Sequence, residues 1–237
     1  MRVIFLAKPL PLVHLKVSDD ITTDTDNALS AFKVTRIKNG PFRQNCYVLA
    51  SKNNEALIID PGGDADRIFE IIETDGLQPL AIINTHGHFD HIGAVDAISK
   101  RYNIPFYLHE GDRRLVKSAN IYRLLFKTDQ PIVIPEVDIE LKDEDAKLHI
   151  GPFDVGILVT PGHTPGGLCF LIENAIFTGD TLMHSGPGTT KLPGGDAKIL
   201  ARSIESLREL PPDLIVYGGH GHPKSLGEIW SAVDAKD

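Results

Sequence analysis

The sequence predicts one mixed α/β domain preceded by an N-terminal appendage. From residue 32 onward, short apolar runs bounded by Gly, Pro or Asn alternate with segments of helical periodicity. Histidine or aspartate follows directly after several of the apolar runs. Residues 1–31 lack sustained periodicity, and their stretch DDITTDTD predicts a loop. We therefore assign the domain to residues 32–237 and the appendage to residues 1–31.

The first half of the domain alternates strand and helix signals. Strands are predicted at FKVTRI (32–37), CYVLAS (46–51), ALIID (56–60), LAIIN (80–84) and IPFYLH (104–109). Helical spacing of apolar residues predicts helices over 64–75 and 93–102.

The second half predicts more β-structure and one amphipathic helix. Residues 130–160 contain several short β segments, and LCFLI (168–172) with AIFTGD (175–180) predicts a hairpin. Residues 197–209 place Ile199, Leu200, Ile204 and Leu207 on one helical side. The run DLIVYGGHGH (213–222) predicts a last strand that ends in glycines.

Composition and charge exclude several classes of protein. The 237 residues are 42% hydrophobic and 24% charged, as in an ordinary globular protein. A formal net charge of −8 disfavours a nucleic-acid or anionic-membrane binder. The apolar run VIFLA near the N-terminus is too short for a signal sequence or a membrane span, so a cytoplasmic enzyme is expected. Cys46 and Cys169 have apolar neighbours, which predicts two buried, reduced thiols.

The stretch NTHGHFDHIGAV (84–95) gathers three histidines and an aspartate within six positions. His86, His88 and Asp90 alternate at period two, so extended backbone would point them to one side. One closed structural zinc could use four such ligands. However, the adjacent Asp90 and His91 can hardly join both other histidines on one tetrahedral ion without strain. The crowding favours two ions side by side.

Three further ligating residues stand at the ends of apolar runs. His163 lies in TPGHTPG after GILVT, Asp180 ends AIFTGD, and His220 follows LIVYGG. Each one alone has an ordinary structural explanation, such as a turn-capping aspartate or a loop histidine. Because strand ends are where α/β sheets present functional groups, the three together with the cluster predict a metal centre.

The motifs identify a family. The stretches QNCYVL, LIIDPGG, NTHGHFDHIGA, VTPGHTPGG, FTGDTL, LPGGD and YGGHGHP follow one another across residues 33–224. In this the chain resembles the metallo-β-lactamase superfamily, and within it the glyoxalase II-like hydrolases. The resemblance implies an α/β fold, a four-layer αββα sandwich, with the site at one edge of its two sheets.

The resemblance also implies a role for each ligating residue. The first metal would be held by His86, His88 and His163. The second would be held by Asp90, His91 and His220, and Asp180 would bridge the two. Asp60 of IIDPGG would be the carboxylate that orients a ligand histidine from outside. All seven ligands lie beyond residue 31, so the appendage is expected to be dispensable for chemistry.

The donor set indicates a hydrolytic centre with two divalent metal ions. Imidazole and carboxylate suit zinc, iron or manganese, and we expect zinc. By resemblance, a hydroxide shared by two ions attacks a carbonyl carbon. Asp90 would orient this nucleophile. The expected substrate is a small-molecule thioester, S-lactoylglutathione or a related hydroxyacyl thioester. Asp180 disfavours antibiotic hydrolysis, since many zinc β-lactamases have cysteine or a non-ligand there.

Other activities and the substrate contacts stay open. A persulfide dioxygenase would hold one iron through His86, His163 and Asp180, and a lactone or other ester hydrolase is a further alternative. Thr189 and Lys191 replace an arginine and an aspartate found in related small bacterial proteins. The sequence ends soon after His220, without the helical region with which full-length glyoxalase II binds glutathione, so loose substrate binding is expected. Candidate side chains near the site that have no assigned role are Lys191, Lys224, His184 and His222.

Overall fold

The computed structural model describes residues 23–26, 29–128 and 131–235. Its strands are β1 (Thr23–Asp26), β2 (Phe32–Asn39), β3 (Gln44–Ser51), β4 (Glu55–Ile59), β5 (Gln78–Ile83), β6 (Phe106–His109), β7 (Ile139–Leu141), β8 (Lys147–Ile150), β9 (Phe153–Val159), β10 (Leu168–Ile172), β11 (Ala175–Gly179), β12 (Leu182–Met183), β13 (Gly186–Pro187), β14 (Ile215–Gly218) and β15 (Lys224–Ser225). Its helices are α1 (Ala65–Thr74), α2 (Phe89–Ile92), α3 (Val95–Tyr102), α4 (Arg113–Leu125), α5 (Ala197–Leu207) and α6 (Leu226–Asp234).

The strands form two large sheets. The first has the order β1-β2-β3-β4-β5-β6-β7, and the second has the order β15-β14-β11-β10-β9-β8. Strands β4, β5, β6 and β7 pair in parallel, whereas β8, β9, β10 and β11 pair antiparallel, with β14 parallel to β11. A small hairpin of β12 and β13 forms a separate two-stranded sheet, and Leu182 of β12 packs in an apolar cluster with residues of the second sheet.

Three apolar clusters define four layers. The central cluster packs sheet against sheet and includes Leu49, Ile83 and Phe170. A second cluster packs helices α1 to α4 on the outer face of the first sheet, and a third packs α5 and α6 on the second sheet. Strand β3 shows the cause, because its side chains alternate between the central and the outer cluster. The predicted four-layer αββα sandwich is confirmed.

The predicted strands and helices of the domain are present with small shifts of their ends, but three helices were missed, the one-turn α2 and the longer α4 and α6. Helix α4 follows the strand at 106–109 and buries Leu115, Val116 and Ala119. Helix α6 begins with a capping box between Ser225 and Glu228. Within the described chain, no helix has the length and apolarity needed to cross a membrane. Both cysteines are buried and unpaired, as predicted.

The described part of the N-terminal stretch is not a loop throughout. Thr23–Asp26 forms β1, which pairs antiparallel with β2, so the prediction of a loop over these residues was wrong. Leu29 is buried in the central cluster, and the carboxylate of Glu173 accepts from the backbone N–H groups of Ser30 and Ala31. Residues 1–22 lie outside the described chain, and the domain boundary at residue 32 stays a prediction.

These contacts give a test of what residues 23–31 contribute to stability. We expect a chain that begins at Phe32 to unfold at lower denaturant concentration than one that begins at Thr23, because it loses β1 pairing and the burial of Leu29. Leu29→Ala in the full chain should lower the free energy of unfolding by about 2–3 kcal/mol. Equal midpoints for the two truncated chains, measured by urea denaturation, would show that this segment does not stabilise the domain.

Candidate metal centre

The sequence-predicted ligands all meet at one edge of the two sheets. His86 and His88 follow β5, and Asp90 with His91 lies in α2. From the second sheet, His163 follows β9, Asp180 follows β11 and His220 follows β14. Both sheets therefore contribute to a single centre.

Three histidines form a first buried group. His86, His88 and His163 each offer a ring nitrogen within 4.8 Å of the other two. Their rings stand edge to face, with centroids 4.7–4.9 Å apart. His88 Nδ1 lies 3.0 Å from His163 Nε2, so these two nitrogens point to the same place.

Asp90, His91 and His220 form a second group with the same spacing. Asp180 lies between the two groups. Its Oδ1 is 3.6 Å from His91 Nε2. Its Oδ2 is 3.6 Å from His163 Nε2 and 3.7 Å from His220 Nε2. One carboxylate thus faces ring nitrogens of both groups.

Hydrogen bonds from outside fix the histidine rings. His163 Nδ1 donates to the carbonyl of Thr189 at 2.8 Å, and His220 Nδ1 donates to the carbonyl of Phe42 at 3.2 Å. Because Nδ1 of each ring is used in this way, Nε2 is the nitrogen that faces the centre.

Asp60 orients two more rings. Its Oδ2 lies 3.0 Å from His91 Nδ1 and accepts from Thr85 Oγ1, and that hydroxyl lies 3.1 Å from His86 Nδ1. Its Oδ1 accepts from the backbone N–H of Thr85. Asp60, His86 and His91 also each offer a potential ligand atom within 4.8 Å of the other two. Since both Asp60 oxygens already accept hydrogen bonds, the geometry favours an orienting role for this carboxylate.

Burial and charge set the protonation of the histidines. Burial, reinforced by neighbouring imidazoles, lowers the pKa of His86 well below its usual value and that of His88 to about 4. Burial also lowers the pKa of His91, but the hydrogen bond and charge of Asp60 outweigh this and raise it to about 9. His86 and His88 are therefore ready to ligate, whereas a cation must displace a proton from His91, so its uptake there strengthens as pH rises.

The Asp90 carboxylate stays ionised. Burial on its own raises the pKa of Asp90, but the interaction with His220 and the charges of His91 and His88 lower it overall. His220 Nε2 lies 3.6 Å from Asp90 Oδ2. The second group therefore offers an anionic oxygen beside two imidazoles.

The centre fits metal cations. Among the described residues, His86 Nε2, His91 Nε2 and Asp180 Oδ1 are buried without a hydrogen-bond partner. Unpaired buried polar atoms are costly, and these converge on one space. Nitrogen and carboxylate donors in this number suit one or two divalent transition-metal ions.

Glycines let the backbone approach the ligands closely. A Cβ on Gly219 would collide with the Asp180 carboxylate and the His91 ring. A Cβ on Gly62 would overlap the carbonyl of Asp90. At these positions any side chain would displace ligating residues.

One local prediction was wrong. The extended alternation ends at His88, whose φ and ψ are −68° and 149°, and Asp90 lies in the helical turn α2. The turn brings Asp90 and His91 around to the second group while His86 and His88 serve the first. The division into two groups therefore comes from the change of backbone conformation at residue 89.

Four side chains that flank the candidate ligands in the sequence have no assigned role. Lys191 is exposed, and Lys224 is part of β15. His184 and His222 stack with their ring centroids 4.3 Å apart, beside Gly221. Thr189 contributes its backbone carbonyl to His163, a contact that does not depend on its side chain.

Asp112 positions the loops that carry the first group of histidines, and the sequence analysis did not identify it. It is fully buried directly before α4, and its carboxylate accepts from Gly87 N, Thr164 Oγ1 and Gly166 N at 2.7–2.8 Å. Gly87 separates His86 from His88, and Thr164 follows His163. Burial raises the pKa of Asp112, while these hydrogen bonds act in the opposite direction. The residue ties together the two loops that carry the first group.

We expect Asp112→Asn to weaken metal binding at the centre, although Asp112 is not one of the candidate ligands. The amide cannot accept all three hydrogen bonds, so buried donors are left unpaired, at a cost on the order of 3 kcal/mol in the free energy of unfolding. Denaturation and metal titration of the variant should both show the loss, with the exposed Asp213→Asn as a matched control. Unchanged metal affinity in Asp112→Asn would contradict the positioning role.

Comparison with known sequences identifies the family. The family model described as "Metallo-beta-lactamase superfamily" matches residues 39–220. The "Probable metallo-hydrolase YqgX" of Bacillus subtilis is 38% identical over 192 residues, which cover 80% of this chain and 90% of that protein. The "Hydroxyacylglutathione hydrolase GloC" of Haemophilus influenzae is 35% identical over 196 residues, covering 79% and 90%.

Solved structures agree with the sequence relatives. The BLEG-1 B3 metallo-β-lactamase is 37% identical with a TM-score of 0.76, covering 83% of this chain and 95% of that one. TTHA1623, solved in a di-iron-bound form, is 33% identical with a TM-score of 0.74, covering 81% and 95%. The four-layer sandwich is thus shared with these proteins, and the chain belongs to the metallo-β-lactamase superfamily.

Proposed function

We propose that the protein is a binuclear metal-dependent hydrolase that cleaves a small hydroxyacyl thioester, such as S-lactoylglutathione, in the cytoplasm. One observation carries the proposal: Asp180 faces ring nitrogens of both ligand groups, at 3.6–3.7 Å. A carboxylate in this position suits a bridge between two ions. The similarity to a hydroxyacylglutathione hydrolase supports the substrate class.

Two divalent ions would be held by His86, His88 and His163 on one side and by Asp90, His91 and His220 on the other, with Asp180 shared. When bound, they would polarise a substrate carbonyl and make a water molecule more acidic. A thioester suits such a site because a thiolate leaves with little help.

The chain's own residues supply the remaining requirements. Asp90 stays a carboxylate beside His220, so it can accept a hydrogen bond from water and orient its lone pair toward the carbonyl carbon. Asp60 and the carbonyls of Thr189 and Phe42 hold the rings, which keeps reorganisation during the reaction small.

The donor atoms favour zinc, with iron or manganese as alternatives. Cys46 and Cys169 are buried in apolar clusters and are not part of either group, so no thiolate selects the metal. The di-iron form of TTHA1623 supports iron as the first alternative.

Three other activities compete with thioester cleavage. A persulfide dioxygenase would need only one iron at His86, His163 and Asp180. The complete second group argues against it. Similarity to the BLEG-1 B3 metallo-β-lactamase favours β-lactam hydrolysis as the second candidate. A lactone or other ester hydrolase would use the same centre.

The binuclear proposal predicts close to two metal ions per chain. Asp180→Asn should lose metal at both positions, because the amide removes the anionic charge that both groups share. Native mass spectrometry and elemental analysis would count the ions, with the exposed Asp213→Asn as the matched control. A single tightly held iron in the wild type would contradict the binuclear site and favour the dioxygenase.

For catalysis, we expect the metal-loaded protein to hydrolyse S-lactoylglutathione. Asp90→Asn should lower kcat by roughly 100-fold or more, the usual size of a general-base effect, and change KM less. Steady-state thiol release measures both. Metal content of the variant must be measured alongside, since Asp90 is also a ligand in the proposed site.

The competing activities are assayed with the same preparation. A chromogenic cephalosporin tests β-lactam hydrolysis, and oxygen uptake on glutathione persulfide tests the dioxygenase. Turnover of either one, with none of any thioester, would reject the proposed function.

A further inference from the structure

An aromatic cluster stands on one side of the centre. Phe42 lies in the turn between β2 and β3, Phe89 opens α2, and Phe126 follows α4. Their ring centroids are 5.4, 5.6 and 5.8 Å apart, and Phe126 is partly exposed. Phe42 supplies the carbonyl that holds His220, and Phe89 directly precedes Asp90. The cluster therefore borders the second ligand group.

Arg123 of α4 extends over this cluster. Its guanidinium carbon lies 5.8 Å from the centroid of the Phe89 ring. Its Nε is buried and has no hydrogen-bond partner among the described residues. The guanidinium also forms no ion pair with any of the described residues. Partial burial lowers the pKa of Arg123, while the charge of Asp90 raises it, so the cation lies within electrostatic range of that ligand.

An arginine in this setting is suited to bind a planar anion. The guanidinium presents parallel N–H groups that match a carboxylate, and stacking on an aromatic ring holds its plane. A single positive charge suits a carboxylate better than a phosphate dianion. The net charge of −8 gives no general attraction for anions, so binding here would depend on this local cation.

We propose that Arg123 binds a carboxylate of the substrate on the Asp90 side of the centre, with the adjoining apolar part of the substrate against Phe42 and Phe126. The substrate class is then carboxylate-bearing thioesters, an assignment that rests on the proposed hydrolase function. Arg123 acts in recognition and holds no metal.

A matched pair of substrates isolates the carboxylate. The S-lactoyl thioesters of N-acetylcysteine and of N-acetylcysteamine differ only in that group. Their S-propyl thioethers resist hydrolysis, so calorimetry with them measures binding without turnover. All measurements use the metal-loaded full chain, with metal content recorded for each variant.

We expect the wild type to prefer the carboxylate member of each pair by roughly tenfold, in KM for the thioesters and in Kd for the thioethers. Arg123→Gln should abolish this preference through KM, with kcat and metal content close to those of the wild type. Arg123→Lys should keep part of it, because the charge remains but the planar contact is lost. Arg114→Gln, an exposed arginine on the same helix, should keep it fully.

The outcomes separate the subsite from the hydrolase. Equal binding of the two thioethers by the wild type would overturn the subsite, as would an unchanged preference in Arg123→Gln or an equal loss in Arg114→Gln. A loss of metal and of melting temperature in Arg123→Gln, with both substrates affected alike, would make the residue structural and also overturn the proposal. No hydrolysis of either thioester, together with Arg123-dependent binding of the carboxylate thioether, would reject the hydrolase and retain the subsite.

Discussion

The structure depends on holding several polar side chains close together in a buried site. Side chains of this kind are normally excluded from a protein core. His86 Nε2, His91 Nε2 and Asp180 Oδ1 are buried in one space. None of these three atoms has a hydrogen-bond partner among the described residues. Their desolvation is unfavourable, and the imidazoles disfavour each other's protonation. Hydrogen bonds from outside, above all those of Asp60, hold the rings against these forces. Metal cations bound at the site would offset this unfavourable desolvation. Without them, the packing of the apolar clusters has to offset it.

Because both sheets contribute residues to the candidate metal centre, packing and site formation are coupled. Side chains of β3 in the first sheet reach the loop that carries His220: Asn45 donates to the carbonyls of Gly218 and Gly221, and Tyr47 donates to Gly218. Asp112 makes a comparable link between the loops of His86 and His163. Tyr47 also packs in the central apolar cluster. Sheet-to-sheet packing and ligand geometry therefore share the same residues.

Local sequence patterns were sufficient for most of the longer strands and for the list of residues that converge at the edge. Short apolar runs ended by glycine or proline mark strand ends, and ligating side chains there stand out. The same patterns could not show the helical turn at Asp90, because alternation of residue types fits either conformation. Asp112 was missed because its hydrogen bonds join residues 25 and 54 positions away. Arg123 was missed because nothing near it in sequence distinguishes it from other basic residues of α4.

Helix α4 supplies none of the seven ligating residues, although its C-terminal end borders the centre. Its inner face is anchored by Val116 and Ala119, and Leu124 and Leu125 near its end are exposed. Substitutions along this end need not disturb the glycine-packed backbone around the ligands. Evolution could therefore exchange the molecules that such a scaffold accepts by varying one helix and its following loop, while the chemistry at the strand ends is inherited unchanged.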